Sequence, residues 1–279
     1  MNLEEAASLL PKRDPNSHKG QNGRVVVVGG CRGYYGAPII AGLAAEKSGV
    51  DAVTLFLPPS HVEAAKGYSL NFFIKPMMFD EIGLYDVKAI HDAVDAADVL
   101  LIGNGLGVGF DVKKTVLSIL CGIEKRKPVV IDAQAILPEI LEIYKPNEHN
   151  WIITPHKTEM MRLSGMPGII DELIEWALSK KLVICLKGKV DHIIDGRNGV
   201  TYDNETGTPY MSVGGTGDAL AGIISAYIST GMDMVTAARL ATFLWGLCGQ
   251  RIDGAVITYD MLNIWPDLVK ELYRHHLST

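Results

Sequence analysis

Residues 23–57 constrain the fold of this chain more than any other segment. A polar loop runs into four consecutive valines, Val25 to Val28, that end at Gly29-Gly30; helical spacing follows in "APIIAGLAAEKSGV", and "DAVTLFLPP" is a second apolar run stopped by two prolines. A strand that is apolar at every position must be covered on both faces, which calls for a parallel sheet between layers of helix. The pattern recurs, because "DVLLIGNGLG", "PVVIDA", "WIITPH" and "LVICLKG" are apolar runs followed by Gly, His or Asp. Helical spacing between the runs predicts helices near residues 82–96, 111–124, 135–143 and 168–180. Strands alternating with helices predict an α/β fold with right-handed crossovers: a largely parallel central sheet covered by helices on both faces. "VDHIIDGRNGVTYDNETG" alternates instead around an Asp-Gly turn and predicts an antiparallel hairpin at one edge. Three more helices are expected near 217–230, 233–250 and 258–272. With no internal repeat and no linker-like stretch, residues 1–279 are expected to form one domain.

Composition removes several functions. The formal net charge of −6 opposes a non-specific phosphate-backbone binder, which needs Lys and Arg to displace counterions, so no nucleic-acid partner is expected. No run approaches the ~18 apolar residues of a membrane span, and the N-terminal "MNLEEAASLLPKRD" lacks an apolar signal core. Cys31, Cys121, Cys185 and Cys248 stand far apart without a C-x-x-C pair, and they read as buried thiols of a reducing compartment. A cytoplasmic enzyme with no membrane partner is the expectation.

Ligands of open α/β sheets sit at the carboxyl ends of the strands, so the polar residues closing the apolar runs should line one rim. Three glycine-rich turns compete there as phosphate cradles: "GGCRGYYG" (29–36), "GNGLG" (103–107) and "GGTGD" (214–218). The first resembles a dinucleotide fingerprint, but the second strand ends in Leu57-Pro58-Pro59 where an acid would hold the ribose. No G-x-x-x-x-G-K-[ST], G-x-S-x-G or H-E-x-x-H occurs. In the third turn the glycines can aim N–H groups at one point and the following helix adds its positive end, an arrangement for holding phosphate. Asp218 beside such a cradle would repel phosphate, yet it could accept the proton of a hydroxyl attacking phosphorus; as a structural residue it would cap the helix. Asp132 after "VVI" could meet magnesium, water or a helix end. His156 could donate to a ligand or serve only the start of a helix, Glu159 could be a first-turn acid, and Lys187 could neutralise phosphates or be a solvated strand-end lysine.

Taken in order, "SHKGQNGRVVVVGG", "GAPIIAGLAAEKSGV", "IGNGLG", "VVIDAQAI", "TPHKTEM", "LKG" and "GGTGDALAGI" resemble the ribokinase-like family of ADP- or ATP-dependent NAD(P)H-hydrate dehydratases, over about residues 17–250. The resemblance implies a ribokinase-like fold and repair of damaged nicotinamide cofactor: ADP or, less favoured, ATP phosphorylates the hydroxyl of the hydrated ring, and loss of phosphate restores NADH or NADPH. By the same resemblance, Asp218 is the base, and the amides of Gly215, Thr216 and Gly217 form the anion hole. Ala37, Gly105 and His156 line the hydrate site with Asp218. Lys187, Gly188, Lys189, Val190 and Asp191 follow the nucleotide, and Gly217 contacts its phosphate or ribose side. Glu159 holds Mg²⁺ through water. A homo-oligomer, with a tetramer favoured, and a separate epimerase are also implied.

This chain departs from the family pattern at four positions. Asn104 replaces the proline of a usual Gly-Pro-Gly, Asp191 stands where Thr is common, Trp245 where His is frequent, and Gln134 replaces a frequent acid. Asp191 is expected to bring negative charge toward an anionic nucleotide. The rival reading is a small-molecule kinase of the same superfamily, acting on a thiazole alcohol or hydroxymethylpyrimidine, and a silent nucleotide sensor is a third.

Overall fold

The structure, a computed structural model, describes residues 1–252, 254–255 and 257–278, with side chains through residue 274. Nine strands form one sheet: β1 Arg24–Val28, β2 Ala52–Leu57, β3 Phe73–Pro76, β4 Val99–Ile102, β5 Pro128–Ile131, β6 Asn150–Ile153, β7 Val183–Leu186, β8 Asp191–Asp195 and β9 Val200–Asn204. Their spatial order is β3-β2-β1-β4-β5-β6-β7-β8-β9. All pairings from β3 through β7 are parallel, and β7–β8–β9 are antiparallel, so the expected hairpin closes one edge.

The valine run shows why the sheet is covered twice. Val25 and Val27 face one way and pack with residues of helices Gly36–Lys47, Thr216–Ser229 and Met234–Gln250. Val26 and Val28 face the other way and join Ile90, Val94, Val116 and Ile119 from helices Val87–Asp95 and Phe110–Gly122. Alternate residues of one strand therefore feed two separate cores, which is why no polar position interrupts the run.

The chain leaves β1 toward β2 and β3, then returns to lay β4 on the opposite side of β1. That reversal opens a crevice beyond the carboxyl ends of β1 and β4, the place where doubly wound sheets bind ligands. The loops there are in contact, since Gly30 donates its N–H to the Asn104 carbonyl at 2.9 Å. Gly103 has φ 130°, and a methyl group on it would lie 1.7 Å from the Asp132 carbonyl oxygen, so only glycine lets the β4 and β5 ends approach this closely.

Two expectations need correction, and three elements lie outside the expected set. Residues 135–143 do not form one helix: a 3₁₀ turn at Ala133–Ala135 and a short helix at Ile140–Ile143 flank Pro138, whose missing N–H and steric demand on Leu137 break the run. Helix Val62–Tyr68 and strand β3 escaped the sequence pattern; β3 is a largely exposed edge strand ending in Lys75 and Pro76, so it shows no apolar alternation. Helix Lys157–Ser164 also goes beyond the expected set. Cys121 is exposed whereas the other three cysteines are buried, because it lies off the face of its helix that carries Val112, Val116, Ile119 and Leu120. Among the described residues no helix is long and apolar enough to cross a membrane.

Helix Thr216–Ser229 lies against helix Gly36–Lys47 at backbone contact. A Cβ on Gly222 would stand 2.2 Å from the Ala41 carbonyl oxygen and 3.0 Å from the Ala44 methyl. Gly222→Val is therefore expected to force the helices apart and destabilise the protein by about 2 kcal/mol or more, read as a lower urea midpoint. An unchanged midpoint would show that this contact does not set the helix spacing.

Candidate active site

The carboxyl ends of β4 to β7 deliver four polar side chains to the crevice. Asp132 follows β5, is 2% exposed, and uses every acceptor direction the neighbours offer: Oδ1 takes Thr154 Oγ1 at 2.7 Å and Lys187 Nζ at 2.7 Å, and Oδ2 takes Asn104 Nδ2 at 2.9 Å. It is thereby engaged with protein groups, and its side chain makes no capping bond to the 3₁₀ turn that follows it. Asn104 turns its remaining amide proton to Asp218 Oδ1 at 2.8 Å. A continuous chain results, Lys187–Asp132–Asn104–Asp218, crossing from β7 to the first turn of helix Thr216–Ser229.

Burial sets the electrostatics. Withdrawal from water raises the Asp218 carboxyl to about 6, the Asp132 charge adds to the rise, and Asn104 and Lys187 oppose it. Burial alone would lower the Lys187 ammonium, but Asp132 more than compensates and leaves it raised. Both charges of this buried pair are hydrogen-bonded, the condition under which such a pair is tolerated away from water.

Helix Thr216–Ser229 begins at Gly215, and Thr216 ties the preceding loop down by donating its hydroxyl to the carbonyls of Met211 and Val213, each at 3.0 Å. The first amides of a helix have no partner within it, so those of the first turn are available at its positive end. Gly217 sits against Lys187: a methyl group there would be 3.2 Å from Nζ.

Beside this turn lies a cleft of ≈ 520 Å³. Of the residues expected along a nucleotide, Lys187, Gly188, Lys189, Asp191 and Gly217 line it, and Val190 does not. Trp245 forms part of its wall, donating its indole N–H to the Thr216 carbonyl at 3.1 Å and packing edge-on against Trp265. Asp191 has a partner at each oxygen, the Gly188 N–H and the Asn204 amide, both at 3.1 Å, and its carboxyl is raised by burial against those two bonds. The departure from Thr thus serves the wall of the cleft as well as bringing charge to it.

The residues expected around the hydrate are placed less uniformly. Gly105 and Ala37 meet across the crevice, where a Cβ on Gly105 would be 3.2 Å from the Ala37 methyl. His156 caps helix Lys157–Ser164: Nδ1 accepts the N–H groups of Thr158 and Glu159 at 3.1 and 3.2 Å, while Glu159 Oε2 accepts the His156 N–H at 2.8 Å. The helix-start reading of His156 and the first-turn reading of Glu159 are therefore realised together as a capping box. With Nδ1 accepting, the proton of a neutral ring sits on Nε2, which stands 3.4 Å from Glu159 Oε1 on a half-exposed side chain. Gln134 is inward-facing, and its Oε1 is buried without a partner.

Sequence reasoning missed the loop carrying Glu205, Thr206, Thr208 and Met211, which lines the cleft opposite Lys187. Its polar composition carries no signal, but Gly246 within a helix did: a Cβ there would strike Thr206 Oγ1 at 2.2 Å. The bridging role of Asn104 was also invisible, since its carboxylate partners lie 28 and 114 residues away in the chain.

Comparison with known proteins agrees with this geometry. A family model described as NAD(P)H-hydrate dehydratase matches residues 25–265. The bifunctional NAD(P)H-hydrate repair enzyme Nnr of Hyperthermus butylicus is 39% identical over 88% of this chain and 47% of its own length. The ADP-dependent (S)-NAD(P)H-hydrate dehydratase of Nitrosopumilus maritimus is 32% identical over 87% of this chain and 85% of its own length. This chain spans about half the length of the bifunctional relatives it matches. The ADP/ATP-dependent NAD(P)H-hydrate dehydratase of Bacillus subtilis, co-crystallized with ATP/Mg²⁺, superposes with a TM-score of 0.82 at 26% identity, covering 97% of each chain. The ribokinase-like architecture expected from the sequence is the one observed.

The raised Asp218 carboxyl has a sign that can be checked. Its folded value of about 6 exceeds its ordinary 3.8, so ionising it costs the folded state stability above pH 6, and that cost vanishes as pH falls toward 4. Asp218→Asn is expected to stabilise the protein by roughly 2 kcal/mol at pH 8, with the gain shrinking through pH 6 and gone near pH 4. Thermal melts across that range check it; a gain independent of pH would contradict the assignment.

Proposed function

The chain belongs to the NAD(P)H-hydrate dehydratase family, and from that membership and the Asp218 geometry we propose that it repairs hydrated NADH or NADPH at the expense of a nucleotide. The observation that carries this reading is a partly buried carboxylate at the positive end of a helix, held by the Asn104 amide beside a cleft walled by Lys187 and Gly217. Asp218 accepts the proton of the ring hydroxyl as that oxygen attacks the terminal phosphorus of the nucleotide. The phosphorus–oxygen bond to the nucleotide remnant breaks, the ring oxygen becomes a phosphate ester, and departure of inorganic phosphate together with a proton from the adjacent ring carbon restores the ring double bond. A base with its pKa near 6 is ionised at neutral pH yet still accepts a proton readily.

The other roles follow from placement. The amides of Gly215, Thr216 and Gly217 surround the transferring phosphoryl group and the helix end stabilises its charge. Lys187 to Asp191 run along the nucleotide, with Val190 holding the loop rather than facing the cleft. Gly105, Ala37 and His156 border the ring. ADP is the donor we propose, as the name of the Nitrosopumilus relative states for that protein, and the (S)-hydrate is the substrate.

Mg²⁺ fits as an ion carried in on the nucleotide. Among the described residues no group of three or more His, Cys, Asp or Glu could hold a metal, so no all-protein cage exists; Mg²⁺, however, keeps its waters and needs only one or two carboxylates beside phosphates. Glu159, near enough to raise both Lys187 and Asp218, would hold it through water, and the ion when bound would neutralise phosphate charge.

Incubating the protein with hydrated NADH and ADP, and following absorbance of the reduced ring, tests the proposal. Recovery is expected with ADP, and Asp218→Asn is expected to lower kcat by about 10³-fold. No recovery with ADP or ATP, together with phosphorylation of a thiazole alcohol, would overturn it.

A further inference from the structure

Asn104 is fully buried at the centre of the site, and nothing in the proposed reaction assigns it a task. It is held from both sides. Its carbonyl accepts the Gly30 N–H at 2.9 Å, and its side-chain nitrogen spends one proton on Asp132 Oδ2 and the other on Asp218 Oδ1. Its amide orientation is determined, because turning the oxygen toward two carboxylates would set three partial or full negative charges against one another. Oδ1 in fact points where it meets no partner, a buried acceptor left unsatisfied so that both protons can serve the acids. Asp132 cannot move to release the amide, since Lys187 and Thr154 fix its other oxygen.

The consequence falls on Asp218. Its Oδ1 is occupied by Asn104, and among the described residues Oδ2 has no hydrogen-bond partner. The charged groups acting on it are Asp132 after β5, Lys187 after β7 and Glu159 on helix Lys157–Ser164, two of them repulsive. A donated N–H between the two acids is what offsets that repulsion at shortest range.

We propose that Asn104 is the positioning residue of this site: anchored on Asp132, it clamps Oδ1 of Asp218, leaves Oδ2 as the sole proton-accepting oxygen, and keeps the carboxylate ionised beside a second acid. The inference rests on the reading of Asp218 as the base. It makes Asn104 the mechanical and electrical link between the nucleotide-side pair, Lys187–Asp132, and the oxygen that takes the proton.

The experiment uses the full chain with hydrated NADH and saturating ADP. Asn104→Leu keeps the side-chain size but donates nothing. It is expected to lower kcat at pH 7 by about 2- to 15-fold, the loss of ionised base when one charge-assisted hydrogen bond, worth about one to two pH units, is removed. It should move the acid limb of the kcat–pH profile upward by about one unit or more, and leave the KM for ADP within about twofold. Raising the pH should therefore recover much of the lost rate. A loss equal at every pH, or a limb that stays in place, would overturn the inference, because a residue that only fills space would act that way. The two readings separate cleanly: an active Asp218→Asn removes the base assignment, whereas an inactive Asp218→Asn with an unshifted Asn104→Leu limb removes only this inference. Should Asn104→Leu fail to fold, nitrogen-15 NMR of the unsubstituted protein decides. The Asn104 side-chain N–H signals should shift with pH at the midpoint of the acid limb, and signals constant across that range would overturn the proposal.

Discussion

The buried pair of Lys187 and Asp132 is the interaction on which the site is built. Two charges 2.7 Å apart and nearly out of water persist because the carboxylate is further satisfied by Thr154 and Asn104. That pair holds the Asp132 carboxyl in the crevice, and Asp218 stands beside it, joined to it through Asn104. The orientation of Asn104 and the seating of Lys187 against Gly217 follow from where Asp132 sits, and its charge adds to the burial that raises the Asp218 carboxyl. Removing Lys187 would leave an uncompensated buried carboxylate, so its role in holding the crevice together is inseparable from any role it has toward phosphate.

The fold supplies the distances that make this arrangement work. Parallel strands bring the ends of β4, β5, β6 and β7 to one rim, so residues scattered from Asn104 to Lys187 meet at hydrogen-bond range. The remaining partner arrives on a helix that packs across the sheet at backbone contact with helix Gly36–Lys47. Small residues at that contact, Ala41, Ala44 and Gly222, set how close the helix lies and therefore where Asp218 stands relative to Asn104. Close packing one turn along the helix thus helps set where the proton acceptor stands.

Much of this architecture could be read from local pattern. Val25 to Val28 announce a strand buried on both faces, and the residues ending each apolar run do line one rim. Where a single residue overrode the pattern, reading failed: Pro138 splits an apparent helix, and edge strand β3 is too exposed to show alternation. At the site, Asp218, Lys187 and the "GGTGD" turn were legible because their residue types suit phosphate chemistry. His156 was ambiguous because capping and ligand donation use the same residue at the same place, and the structure shows the capping bonds. Asn104 could be noticed only as an unexpected amide, since its meaning lies in two acids that approach it through tertiary structure.

Proton acceptance at neutral pH by a desolvated Asp218 is the centre of this account. Carbon-13 NMR of its side-chain carboxyl, followed across pH with Asp218→Asn used to assign the signal, measures it directly. The account requires a midpoint near 6, and a midpoint near the ordinary 3.8 would contradict it.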